Sequence, residues 1–271
     1  MGKKIILSES QFFSILNEEL GISNEIIKKT DEVYSIICDA VKNNKQTAVS
    51  FEYYTFNQFS ITFEWFNAKV ITSVDCYNYI NKEMYKFSNV RTDGWSSYAD
   101  KKYLFMGLVV PCISGTILKE EVKDTIQHEL EHLYQQIIMG KPFSNNKIYN
   151  MIKTNRNNKE NDVIRNAAQL AYGCIKSEQD GYINGLYSYL MSIPSLFSFS
   201  ILKKSPVWKL YEEMNNIYEK YKDTPEFLLE LKKYKLTHKK IEKSLGNFVR
   251  KIGRVVAKVK NDKYEKQGWR D

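Results

Sequence analysis

The chain is short of histidine, cysteine and long apolar runs, and each shortage excludes a class of protein. Four cysteines (Cys38, Cys76, Cys112, Cys174) are spread over 271 residues with no CxxC pair, which argues against a zinc knuckle and against a disulfide framework. They are expected as free thiols in a reducing compartment. Any metal must then be held by histidine and carboxylate, and there are three histidines in all. No stretch of ~18 apolar residues occurs, so no membrane partner is expected. The opening "MGKKIILSESQFF" has too few apolar residues before Ser8 for a secretory core, and Gly2 lacks the Ser or Thr four positions on that myristoylation uses. A non-secreted protein is the expectation.

The formal charge of +8 is unevenly spread. From Lys203 onward there are 19 Lys+Arg against 10 Asp+Glu, while the first 202 residues hold 21 against 22. Texture divides the chain as well. "SESQFFSILNEELG" reads as a capped helix, with a second helix from about Ser23 to Lys45. Between Gln46 and Gly115 the aromatic and β-branched runs "TAVSFEYYTF", "FSITFEWF", "KVITSV" and "YLFMGLVV" predict a small sheet of three to five strands. After Thr116 the pattern is helical, punctuated at Gly140-Lys141-Pro142, Pro194, Pro206 and Pro225. The expected organisation is α+β: amino-terminal helices over 1–45, a sheet with site-bearing helices over 46–195, and a basic helical extension over 196–271.

"TIQHELEHLY" carries the chemistry. On a helical wheel Leu118, Val122, Ile126, Leu130, Leu133 and Ile137 form one apolar arc, which predicts a core-facing helix. His128 and His132 fall about 40° apart on its flank, so both imidazoles can reach one ion. Glu129 lies at the edge of the apolar arc, and Glu131 is expected toward solvent. A catalytic zinc needs such a set: neutral imidazoles, a third protein ligand, and an open position for water. A carboxylate beside that water serves as general base, the role Glu129 is placed for.

"HELEH" on a helix that follows a sheet resembles the zincin superfamily of zinc metallopeptidases. The metzincin extension is absent, since Gln135 and Ile138 stand where its glycine and last histidine would be. The resemblance is thus to the gluzincin branch, which implies a mostly antiparallel sheet, a peptide or protein substrate, and a third zinc ligand that is a glutamate on a later helix. Glu178, in "CIKSEQDGYINGLYSYL", and Glu160, in "NNKENDV", compete for that place with the possibility of another ligand or none. The first follows an apolar helical run and precedes Gly181 and Gly185. The aspartate often found just after the gluzincin glutamate has no counterpart, since Gly181 and Tyr182 occupy those positions. The resemblance further implies that the strand before the motif, Tyr103 to Val110, is the sheet edge that pairs with substrate.

At the carboxyl end Ile241, Leu245, Phe248, Ile252, Val255 and Val259 repeat in heptad steps amid Lys and Arg, predicting an amphipathic basic helix. It is expected to pack on the preceding helices, with a homo-oligomer or virion contact and non-specific phosphate contacts as the other readings. His238 is expected as an exposed histidine in this segment. The opening "KKIILSESQFFSILNEEL" is similar to the amino termini of proteins encoded by crAss-like bacteriophages. That resemblance implies a phage protein in the cytoplasm of a bacterial host or in a virion, where a zincin-like fold would serve as a tail or assembly part with or without protease activity.

Overall fold

The computed structural model describes residues 24–43, 49–88, 92–99, 102–139, 147–194 and 198–266. The helix expected at Ser8 and the break at Gly140-Lys141-Pro142 lie outside them. The fold is α+β with one sheet. It divides into two compact units, one containing 24–139 and 191–194, the other 147–190 and 198–266. The helices from residue 147 on group with the carboxyl-terminal ones.

In the first unit, α1 (Asn24–Asn43) buries Ile26, Thr30, Val33 and Ile37, the 4, 3, 4 spacing that keeps one helical face on the core. The sheet comprises β1 (Val49–Ser50), β2 (Tyr54–Trp65), β3 (Ala68–Tyr79), β4 (Asp93–Tyr98), β5 (Tyr103–Ile113) and β6 (Thr116–Ile117), with the short helix α2 (Lys82–Phe87) between β3 and β4. Strand order is β1-β2-β3-β5-β4, with β6 paired to β5. All pairs are antiparallel except β3 with β5. Phe66 and Asn67 both have positive φ (49° and 60°), the two-residue turn whose twist matches its flanking strands. The Phe66 ring lies 5.5 Å from that of Tyr134, a contact that offsets the strain of a left-handed aromatic residue.

Register decides which face is buried. Val70, Thr72, Val74 and Cys76 stand opposite Leu104, Met106, Leu108 and Val110, and all eight are buried. They form one core with Ile26, Val33 and Ile37 of α1 and with Val122, Ile126, Leu130 and Leu133 of α3 (Lys119–Met139). Two helices thus cover one face of the sheet. The same register brings Cys76 and Cys112 together, their sulfurs 3.7 Å apart. They are thiols; the bond with Cys76, and then burial, push the Cys112 thiol up.

One sequence expectation needs correction here. Tyr103–Val110 is not a sheet edge, because β5 pairs with β3 on one side and β4 on the other. On that side of the sheet the edge among the described residues is β4, "DGWSSY", whose lack of β-branched residues hid it from a reading based on strand texture. Its hold on the sheet includes Trp95, opposite Gly107. A Cβ added at Gly107 would come within 2.0 Å of the Trp95 indole nitrogen, so only glycine lets that ring lie flat on β5.

The second unit is helical: α4 (Lys147–Arg156), α5 (Asp162–Gly173), α6 (Lys176–Ser192), α7 (Phe199–Lys204), α8 (Pro206–Tyr221), α9 (Pro225–Lys233) and α10 (His238–Lys266). Pro206 and Pro225 open their helices, where a missing N–H costs nothing. The whole heptad seam of α10 is buried, Phe248 completely. Tyr187 on α6 donates to Asp262 at 2.6 Å, and Gln179 to Ser244 at 2.8 Å. Among the described residues no helix is long and apolar enough to cross a membrane.

Candidate metal centre

The chain leaves β5 through Ser114 and Gly115, both at positive φ, returns as β6, and enters α3 two residues later. That tight path fixes where α3 starts and so where its third turn lies. Tyr85 on α2 donates to Glu121 at 3.0 Å, and Lys123 pairs with Asp31 of α1. These ties hold α3 along its first half.

The centre of α3 is buried on every side: Ile126 and Leu130 are sealed, as are Gln127, Glu129, Glu131 and Gln136. Glu131, expected toward solvent, is 9 % exposed. The wheel identified the apolar arc correctly, but a wheel is blind to what covers the polar side. Gln135 donates to Glu131 at 2.8 Å. Asp124, one turn before the first histidine, is buried, and desolvation followed by the nearby Glu121 charge holds its carboxyl well above the usual range.

A raised folded-state value means the unfolded chain releases this proton first as pH rises. Stability contributed by protonated Asp124 is thus present below about pH 3.9 and is lost toward the higher folded value. Asp124→Asn is expected to make the protein more stable than the native chain at neutral pH and to flatten its stability profile above pH 4, measured by urea unfolding across pH. An unchanged profile would contradict this reading of Asp124.

His128 and His132 point at one another, their Nε2 atoms 2.9 Å apart and their rings at 89°. Both are nearly buried. Glu129 lies on the same helix, 5 % exposed, beneath β4. A Cβ added at Gly94 would stand 2.7 Å from the Glu129 Cγ and 3.0 Å from its Oε1. Glycine at this position of β4 is what gives the Glu129 carboxylate its room.

Glu178, in the first turn of α6, is 1 % exposed. Tyr149 on α4 donates to its Oε1 at 2.8 Å. Tyr172 at the end of α5 also bonds it; burial first, then the Glu178 charge, pushes the Tyr172 phenol well up, so it stays a neutral donor. The Arg156 guanidinium sits 3.7 Å over the Tyr172 ring. Neither tyrosine stood out in a sequence with nineteen of them. They support the carboxylate of Glu178.

His128, His132 and Glu178 are, among the described residues, a set that could hold a metal ion. Donors around a tetrahedral zinc at ~2.0–2.1 Å stand about 3.3–3.5 Å apart. The imidazole pair, at 2.9 Å, is slightly tighter than that, so a small rotation of the rings lets both reach one ion. Two imidazole nitrogens and one carboxylate oxygen also make the right chemical set for a borderline cation. The residues fit a metal.

The other candidates lie elsewhere. Glu160 is exposed in the turn before α5, its amide bonded to the Asn158 side chain at 2.9 Å. Asp180 pairs with Lys251. Tyr182 is half-buried. His238 opens α10 with Nδ1 3.0 Å from the Tyr218 hydroxyl. No protein-family model, curated protein or solved structure matches the chain.

Proposed function

We propose that the protein is a zinc metallopeptidase of zincin type, with His128, His132 and Glu178 as metal ligands and Glu129 as general base. The observation that carries the reading is the facing pair of His128 and His132 imidazoles with the buried carboxylate of Glu129 on the same helix. Zinc, when bound, would polarise the scissile carbonyl and lower the pKa of water to about 7.

The protein groups do the rest. Glu129 takes the proton of the attacking water as the C–O bond forms, and then hands it to the departing amine as the amide C–N bond breaks. Its burial beneath Gly94 fixes that carboxylate and sharpens its interactions by excluding water. Tyr149 and Tyr172, as neutral donors, orient Glu178 without competing for its charge. The outer edge of β4, the strand that covers Glu129, offers backbone groups with which an extended peptide can pair. This places the substrate-pairing role on β4 instead of the interior strand β5.

The test is hydrolysis of an unstructured protein such as casein by the full chain. Cleavage should stop on adding a chelator and return with zinc. Cleavage indifferent to the chelator, or no cleavage by zinc-loaded protein, would count against the proposal.

A further inference from the structure

Five cations of α10, Lys240, Lys243, Arg250, Lys251 and Arg254, line a cavity of about 390 Å³, and Lys176 at the start of α6 joins them. On α10 they run along about 21 Å of one helix face. Lys251 is paired with Asp180 and Arg250 bonds the Asn247 side chain. Six cations and no carboxylate stand among the described residues that line this cavity, a balance that favours an anionic ligand. Burial holds the Cys174 thiol at about 11, so this lining residue adds no negative charge at neutral pH.

The cavity also has a built floor. Gln179, 4 % exposed, donates at 2.8 Å to the Gly173 carbonyl and at 2.8 Å to Ser244. The first bond ties α6 to the end of α5, and the second ties it to α10 and so joins the two walls. The size is that of a small-molecule pocket. No aromatic side chain lines it among the described residues, and single-stranded nucleic acid is usually held by base stacking on aromatic platforms.

We infer that this cavity binds a compact small molecule carrying two or more phosphate groups, with Lys176, Lys243 and Arg250 taking the phosphate oxygens. Guanidinium and ammonium suit this division, a fork for paired oxygens and point charges beside it. The inference stands apart from the metal reading, because none of these residues belongs to that site. It also replaces diffuse phosphate contact along α10 with one bounded site.

Inorganic tripolyphosphate is the probe, titrated calorimetrically into the full chain in low and moderate salt. One saturable site per chain is expected, weakened at least tenfold in the double variant Lys243→Gln, Arg250→Gln, whose thermal melt should match the native one. Lys176→Gln on the other wall, tested alone, should weaken binding about threefold or more, and it carries the test if the double variant melts early. A single-stranded 20-mer, a duplex of equal length and vesicles of anionic phospholipid serve as competitors, expected to displace tripolyphosphate poorly. No saturable binding of tripolyphosphate, equal binding by the variants, or DNA or vesicle binding that removes tripolyphosphate at equal phosphate concentration would each overturn the inference.

Discussion

Glu129→Gln should lower peptide hydrolysis by about 10²- to 10⁴-fold while leaving the metal content unchanged. The amide has nearly the shape of the carboxylate, so it fits the room left by Gly94, but it cannot accept the proton of the attacking water. Because Glu129 is buried and is not among the three grouped donors, the change separates proton transfer from metal holding. Parallel measurement of casein cleavage and bound zinc makes the distinction. Loss of both together would mean that Glu129 shapes the site instead of serving as its base.

Phe248→Ala should be the most damaging single change in the carboxyl-terminal helices. Phe248 is fully buried in the seam of α10 between Leu245 and Ile252, themselves buried. Truncating such a ring removes its transfer energy and leaves a cavity, a cost of about 3–5 kcal/mol. Against a total stability of about 5–15 kcal/mol this is a large share. Urea unfolding followed by circular dichroism should show the midpoint fall with little change in slope. A loss under about 1 kcal/mol would mean that the seam is not the core of this unit.

Elements with one dominant period were legible in the sequence. The arc from Val122 to Leu133 and the heptad seam of α10 each announce a helix and its buried face, and both faces are buried as their spacing implies. The helix expected from about Ser23 to Lys45 spans Asn24–Asn43. What stayed hidden depends on pairing between distant segments. β4 has Gly and two Ser in six residues and gains its strand character from β5. Cys76 and Cys112 meet only because β3 and β5 run parallel in one register. Glu178 was weighed against Glu160 on helical context alone, whereas its tyrosine donors come from α4 and α5. Glu131 shows the limit of the wheel itself, which gives direction without the neighbours that decide exposure.

The most direct measurement is metal content by inductively coupled plasma mass spectrometry, on the full chain purified without added metal and on His128→Ala and Glu178→Gln. The account predicts close to one zinc per native chain, almost none in His128→Ala and a marked loss in Glu178→Gln. A native chain with no zinc, or three proteins with equal zinc, would contradict it.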